Sequence, residues 1–105
     1  MRVALLTREY PPEVYGGAGV HVEYLARDLA RLVELTVHCW GGEREGVAGP
    51  AVRAYRPWDA LAGPGAHAAA FEAVSIDLAM AAGVEGAAVV HSHTWYANHA
   101  GHHAK

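Results

Sequence analysis

Two short segments of the 105-residue chain combine residue types that bind phosphate or sugar groups. The first, residues 15–20, reads YGGAGV and precedes a helical pattern. Glycine lets the backbone approach a ligand closely, and a helix start offers free N–H groups and the positive end of the helix dipole. Gly16, Gly17 and Gly19 are therefore candidate diphosphate-binding residues. The alternative is a glycine turn that only reverses the chain.

The second segment, residues 91–96, reads HSHTWY and closes a short apolar run. Alternation along a strand puts His91 and His93 on one side. A histidine there can donate to a sugar hydroxyl or a phosphate, and Trp95 can stack on a sugar face. We expect one of the two imidazoles to pack beneath the sheet and the other to be functional.

Two further ligand classes remain open. The pattern Gly17-x-Gly19-x-x-Val22 has two of the three glycines of a dinucleotide fingerprint, and Glu43 can stand for its ribose-binding acid. The valine and the long loop from Thr7 weaken this NAD hypothesis. Separately, a final helix carries histidines at spacing that can bind zinc or nickel, although no complete ligand set is visible. These are His99, His102 and His103. We expect neither a metal ion nor another cofactor.

The spacing of apolar residues predicts the elements that position these segments. Short apolar runs predict strands, the third of them weaker than the others, at residues 2–7, 35–40, 51–55 and 87–91. Spacing of three and four residues predicts a helix of about four turns from Gly19 to Val33. A second helix, predicted at 67–80 with Gly83 as its C-cap, has Phe71, Val74, Leu78 and Ala82 on one face. A third is predicted at 95–105.

Strands that alternate with helices predict an α/β fold with a parallel sheet and right-handed crossovers. Glycine- and proline-rich loops are predicted at 41–51 and 57–65. Ligands of such sheets bind outside the carboxyl ends of the strands. Residues 8–19 and 91–95 both fall there, so the sequence predicts one site made by both.

Composition excludes several classes of protein. The formal net charge of −3 and the scattered basic residues give no footprint for nucleic acid. A single cysteine, Cys39, excludes an internal disulfide framework and a multi-cysteine zinc module. No apolar run approaches the ~20 residues of a membrane span, and the start lacks the pattern of a signal peptide. We expect a soluble cytoplasmic protein that does not bind membranes.

Three blocks in the same order resemble the N-terminal domain of family 4 glycosyltransferases, most closely bacterial glycogen synthases including the α-maltose-1-phosphate synthase type. The blocks are residues 1–12 (MRVALLTREYPP), 15–22 (YGGAGVHV) and 89–97 (VVHSHTWYA). Tyr15 and Val20 stand where the other major class of glycogen and starch synthases has lysine and aspartate. His93-Thr94-Trp95 likewise replaces the His-Asp-Trp pattern of that class, which favours family 4 over processive polymer elongation.

The resemblance implies a GT-B architecture, in which two Rossmann-like domains face each other across a cleft. It implies that Gly16, Gly17 and Gly19 contact the donor diphosphate. The acceptor side of the cleft would be lined by Glu9, Tyr10, His93, Thr94 and Trp95. The implied reaction is retaining transfer of glucose from ADP-glucose or UDP-glucose to an α-glucan or glucose 1-phosphate in glycogen biosynthesis, without a metal.

The resemblance also implies that residues 1–105 are a partial N-terminal, acceptor-side domain whose C-terminal donor-binding domain is absent. It puts the family's catalytic histidine after residue 105, so no catalytic residue is assigned here. We expect the chain to be inactive alone, and its uncovered sheet edge to meet the missing domain or a second copy. The alternatives are a stand-alone NAD-type half domain and a histidine-rich metal-binding or interaction module.

Overall fold

The structure, a computed structural model, describes residues 1–11, 17–42, 51–56, 68–84 and 86–103. Strands and helices alternate as predicted. In chain order they are β1 (Arg2–Leu6), α1 (Gly17–Leu29), β2 (Glu34–Trp40), β3 (Ala51–Tyr55), α2 (Ala68–Gly83), β4 (Val89–Ser92) and α3 (Thr94–His103). The predicted loop at 57–65, most of the loop at 41–51, and residues 104–105 lie outside the described residues.

The four strands form one parallel sheet in the order β3-β2-β1-β4. β1 pairs with β2 on one side, with Val3 opposite Leu35, and with β4 on the other, with Leu5 opposite His91. The chain therefore leaves β1 toward β2 and later returns to the far side of β1. This reversal makes a topological switch point between the carboxyl ends of β1 and β4, where α/β sheets bind ligands. The predicted Rossmann-like α/β fold is confirmed.

Alternate residues of the strands feed two apolar layers, one on each face of the sheet. The layer under α1 contains Leu5, Tyr10, Val22, Ala26, Leu35, Val37 and Cys39. The layer under α2 and α3 contains Ala4, Leu6, Ile76, Met80, Val84, Ala97 and Ala100. Alanine contributes three of the seven residues in the layer under α2 and α3 but one of the seven under α1. Each buried alanine contributes little apolar area, so the layer under α2 and α3 gains less from burial.

The first helix begins and ends earlier than the spacing predicts. α1 starts at Gly17, and after Leu29 the chain tightens, because the amides of Leu32 and Val33 both donate to the Leu29 carbonyl, at 2.9 and 3.0 Å. Leu32, which falls inside the predicted helix of residues 19–33, lies beyond the end of α1 and is 80% exposed. The chain turns here because the amide of Glu34 must donate to the Met1 carbonyl to start β2.

The second helix packs through a different face from the one predicted. Its buried apolar residues are Ala73, Ile76 and Met80, followed by Val84 just beyond the helix, whereas Phe71, Val74 and Leu78 are 52%, 39% and 37% exposed and Ala82 is exposed too. Only two residues of α2 are charged, Glu72 and Asp77. A helix that is apolar all round gives no moment that selects one face, so its pattern cannot say which side meets the sheet.

The predicted C-cap is displaced. Gly83 is the last residue of α2, but the left-handed backbone that a glycine C-cap supplies occurs three residues later, at Gly86, with a φ of 89°. Gly83 serves another purpose, because a Cβ added there would collide with the Tyr55 hydroxyl. Glycine at this position lets β3 and the end of α2 approach each other.

The exposed stripe of Phe71, Val74 and Leu78 predicts self-association of the chain. Leu78→Glu should shift the chain toward monomer, because a charge on this stripe opposes its burial against a second copy. Sedimentation velocity over a range of protein concentrations measures the effect. Leu32→Glu is the matched control, since Leu32 is more exposed but isolated. Equal effects of the two substitutions, or a wild-type chain that stays monomeric, would contradict this prediction.

Candidate functional site

The two segments singled out from the sequence meet at the switch point. The His93 amide donates to the Leu6 carbonyl at 2.8 Å, which holds the start of α3 against the end of β1. On the other side of β1, the Thr7 amide donates to the His38 carbonyl at 2.9 Å. The loop after β1 therefore begins between β4 and β2. This confirms the prediction that both segments lie at the carboxyl ends of the strands.

The glycines belong to α1 rather than to a loop before it. Gly17 is the first residue of the helix, Gly19 is buried in its first turn, and Gly16 lies outside the described residues. A Cβ on Gly17 would meet no atom of the described residues within 4 Å. The Gly17 and Gly19 amides belong to the first turn, whose N–H groups have no intrahelical acceptor.

Glu9 occupies part of that helix start. Its Oε2 atom accepts a hydrogen bond of 3.0 Å from the Gly19 amide. The Thr7 hydroxyl donates to the Glu9 carbonyl at 3.1 Å and shapes the loop that brings the carboxylate there. A carboxylate at this position satisfies an orphan donor and interacts favourably with the helix dipole. The sequence assigns Glu9 to the acceptor side, whereas this contact is with the glycine segment.

A group of imidazoles, the histidine cluster of His21, His91 and His93, lies beside these residues. The Nε2 atoms of His91 and His93 are 3.0 Å apart, and the ring centroids of His93 and His21 are 5.6 Å apart in an edge-to-face arrangement. The prediction that His91 and His93 share one side is confirmed. The prediction that one packs beneath the sheet is wrong, because His91 is exposed and His93 half-buried. β4 is an edge strand here, and α1 covers only part of its surface.

The histidine cluster favours the neutral form of His93. Burial lowers the pKa of His93 below its ordinary value, and the neighbouring His91 and His21 lower it further. Within the described part of the chain, no carboxylate pairs with any of the three rings. The shared contact between the His91 and His93 nitrogens needs one N–H donor and one bare nitrogen, so at most one proton lies between them.

The remaining predicted site residues have different positions. Tyr10 is only 5% exposed and packs among Leu5, Val22 and Cys39 under α1, so its ring belongs to the core. Thr94 and Trp95 are the first two residues of α3, directly after His93, and their side chains are outside the described part. Their contact with an acceptor stays a prediction.

Sequence reasoning missed a buried polar group on the opposite face of the sheet. His38 is 2% exposed, and its Nδ1 atom lies 2.8 Å from the Tyr55 hydroxyl. Burial and then the nearby Arg53 lower the pKa of His38 to about 4, so the ring is neutral near pH 7. The available signal was alternation, because His38 lies between Val37 and Cys39, which face the α1 layer.

A second missed group is Asp77, which is 2% exposed on α2. Its Oδ1 atom is buried without a hydrogen-bond partner among the described residues. Burial raises the pKa of Asp77 to about 7 from an ordinary value near 3.8. The sequence offers no signal for this, because a carboxylate in a helix is normally expected on the solvated side.

A cleft of about 200 Å³ lies beside the amino-terminal part of β1. Its lining comes from β1, β2, β3 and the turn after α2 and includes Arg2, Thr36, His38, Arg53 and Gly86. Parallel α/β sheets bind their ligands at the carboxyl ends of the strands. We therefore place the candidate site at the histidine cluster and the start of α1 rather than in this cleft.

The described ranges contain neither a group of side chains arranged for a metal ion nor a helix that could cross a membrane. No group of three or more His, Cys, Asp or Glu side chains there is arranged to hold a metal ion. His99 and His103 lie on α3 with side chains outside the described part, so the predicted alternative of a metal site on that helix is untested. No helix in the described residues is both long enough and apolar enough to cross a membrane.

The parallel sheet, its switch point and the glycine-started helix define a Rossmann-like domain, consistent with part of a GT-B glycosyltransferase. No protein-family model matches the chain. The chain is 55% identical over 102 residues to alpha-maltose-1-phosphate synthase of Mycobacterium tuberculosis, and 51% identical over 104 residues to that of Mycolicibacterium smegmatis. Each match covers 97% of the chain. The predicted resemblance to the N-terminal part of this type of glycosyltransferase is confirmed, and the chain spans about a quarter, 24%, of these relatives' length.

The contact between Glu9 and Gly19 predicts a measurable capping contribution. Glu9→Ala should lower the free energy of unfolding by about 0.5–2 kcal/mol, the range of a helix N-cap. Urea unfolding at neutral pH measures the loss. The control is Glu23→Ala on the same helix, which removes an exposed pair with Arg27 at 3.3 Å and should cost about 0.3–0.5 kcal/mol. A loss at Glu9 no larger than at Glu23 would show that the cap contributes nothing.

Asp77 predicts a fall in stability as the pH rises. Its folded-state pKa of about 7 exceeds its ordinary 3.8, so the folded chain keeps a proton that the unfolded chain releases between those values. The associated stability is full below about pH 4 and is lost as the pH rises through about 7. Asp77→Asn removes this dependence and should be more stable than wild type by at least about 1 kcal/mol above pH 7.

Thermal unfolding between pH 4 and pH 8 tests the Asp77 prediction. Asp28→Asn on the exposed side of α1 is the control, and it should keep the wild-type pH dependence. If Asp77→Asn follows the wild-type profile, the buried carboxyl is not the titrating group.

Proposed function

We propose that the chain is the acceptor-side part of a retaining glucosyltransferase that moves glucose from ADP-glucose or UDP-glucose to glucose 1-phosphate or an α-glucan. The observation that carries the proposal is the match to alpha-maltose-1-phosphate synthases over 97% of the chain. That match includes every residue of the candidate site at the carboxyl ends of β1 and β4. The name of these relatives favours glucose 1-phosphate as acceptor, because joining glucose to it gives maltose 1-phosphate.

The geometry supports adjacent places for the two substrates. The start of α1 at Gly17 suits the donor diphosphate, because the first-turn N–H groups and the helix dipole favour an anion. The histidine cluster and the first turn of α3 lie at the same end of the sheet and suit the acceptor. The carboxylate of Glu9 accepts a hydrogen bond from the Gly19 amide at this end.

The alternative of an NAD-type half domain has less support. In the dinucleotide fingerprint the third glycine allows close packing of helix and strand. Val22 occupies that position here and is fully buried in the layer between α1 and the sheet. The Val22 side chain therefore separates α1 from the sheet at the position where the fingerprint has a glycine without a side chain.

Among the described residues of the histidine cluster and the start of α1, none carries a fixed positive charge for the departing diphosphate. Glycosyl transfer from a sugar nucleotide develops negative charge on the leaving group, and preorganised donors and cations stabilise it. In the histidine cluster, burial and the neighbouring imidazoles favour the neutral form of His93. We propose that the cationic groups come from the donor-binding domain, so the 105 residues bind substrates without turnover.

A chimera tests this function. This chain replaces the matching quarter of the Mycobacterium tuberculosis relative, and the assay follows ADP release from ADP-glucose with glucose 1-phosphate as acceptor. We expect kcat within about tenfold of the parent enzyme, and no turnover by the isolated chain. A folded chimera without activity, or turnover by the isolated 105 residues, would overturn the proposal.

A substitution in the chimera tests the place of the donor. Gly17→Glu puts a carboxylate at the start of α1 and should raise the KM for ADP-glucose about tenfold, because it repels the diphosphate. Ala69→Glu adds the same charge on the exposed side of α2 and should leave the KM unchanged. Circular dichroism confirms that both variants fold.

A further inference from the structure

We propose that His21, His91 and His93 form the recognition site for a phosphate group of a substrate, and that binding takes up a proton. This proposal rests on the proposed function, because both concern the cleft at the carboxyl ends of β1 and β4. The histidines that recognise the phosphate, and the uptake of a proton on binding, go beyond that function. The sources of such a group are a sugar 1-phosphate acceptor and the diphosphate of the donor.

The first argument is geometric. His91 and His93 come from β4 and its end, and His21 comes from the second turn of α1, yet their rings converge within the distances given above. Three imidazoles offer several N–H donors around one point on a half-open surface. Phosphate oxygens are strong acceptors that take hydrogen bonds from several donors at once.

The charges around His93 also favour an anion. The two titratable groups whose charge lowers the pKa of His93 are both imidazoles, His91 from β4 and His21 from α1. On the loop after β1, the carboxylate of Glu9 is bonded to the Gly19 amide. On α3 the described titratable side chain is His102, at the far end of the helix. His91 and His21 therefore disfavour protonation of His93, and an anion among the rings would relieve that repulsion.

A helix N-terminus competes with the histidine cluster for an anion. The start of α1 is a ready place for a phosphate, but the Glu9 carboxylate accepts the hydrogen bond of the Gly19 amide at that end. In the part of the chain that the structure describes, the histidine cluster carries no paired carboxylate. An anion that reaches the switch point meets imidazoles on one side and a partly neutralised helix start on the other.

Proton uptake follows from the charge of the ligand. Burial and the neighbouring imidazoles favour the neutral form of His93, whereas a phosphate anion beside the His91 and His93 rings favours their protonated form. Binding and protonation are therefore linked. Affinity should rise as the pH falls from 8 toward about 6.5, the ordinary histidine pKa. Below about 6 the phosphate itself becomes protonated and the gain ends.

The experiment titrates the chain itself with glucose 1-phosphate, followed by NMR of the histidine ring signals and by calorimetry in two buffers of different ionisation enthalpy. Maltose is the unphosphorylated arm and ADP is the diphosphate arm. We expect glucose 1-phosphate or ADP, but not maltose, to raise the pKa values of His91 and His93, with net proton uptake near pH 7. The wild-type measurement needs no variant to fold.

His91→Gln and His21→Gln should each weaken binding about tenfold for whichever phosphate ligand, glucose 1-phosphate or ADP, shifts the histidine signals. Tenfold is the effect of losing one charge-assisted hydrogen bond. His102→Gln is the matched control and should bind as wild type. A tenfold loss for glucose 1-phosphate assigns the site to the acceptor, and a loss for ADP alone assigns it to the donor diphosphate.

Three results would overturn the inference. These are no shift of the cluster signals at about 10 mM of either phosphate ligand, equal binding of maltose, and binding that the His91 and His21 substitutions leave unchanged. The outcome is separable from the proposed function. An inactive chimera with phosphate binding intact rejects only the function, and an active chimera whose His91→Gln form keeps its KM for both substrates rejects only the phosphate site.

Discussion

The position of β1 between β2 and β4 is the constraint on which the site depends. β1 is paired on both sides, so its carboxyl end is fixed by the His93 amide bonded to Leu6 and by the Thr7 amide bonded to the His38 carbonyl. The chain must leave that end over one face as α1, and β4 must return on the other side. The glycines and the histidines are about 70 residues apart in sequence. They come together because one segment follows β1 and the other ends β4, and the carboxyl ends of these adjacent parallel strands lie at the same end of the sheet.

The two faces of the sheet are stabilised differently. The α1 face is an apolar layer closed by Val22 and Ala26, and its helix is amphipathic. The opposite face carries a buried imidazole, His38, and a buried carboxyl, Asp77, under helices that are rich in alanine. Buried polar groups on that face cost free energy unless they are bonded, and small apolar side chains recover little of it. The α2 side is therefore where we expect the fold to open first.

Much of this arrangement follows from sequence patterns with a definite period. The strands and α1 alternate or repeat clearly, and the pairing of His91 with His93 on one side is a direct result of strand geometry. α2 was predicted in place but with the wrong face, because Phe71 and Ile76 are equally apolar and only tertiary packing distinguishes them. The bond from Gly19 to Glu9 joins residues ten positions apart through an irregular loop, and no periodic signal encodes it. The burial of Asp77 is a tertiary effect of the same kind.

The charges at the switch point show what this domain can contribute to glycosyl transfer. A site that stabilises a leaving diphosphate needs fixed positive charge near the breaking bond. Here Glu9 accepts the hydrogen bond of the Gly19 amide at the helix start, and burial together with the neighbouring His91 and His21 lowers the pKa of His93. In the phosphate site that we propose, an imidazole that gains a proton only when an anion binds selects a phosphate without holding it permanently. The hydrogen bond from the Gly19 amide to the Glu9 carboxylate also suits substrate selection. It keeps the amide ordered, and the carboxylate must be displaced by an anion that binds the amide more strongly. Under the proposed function, this domain selects and orients the substrates, and the donor-binding domain supplies the cationic groups that stabilise the leaving diphosphate.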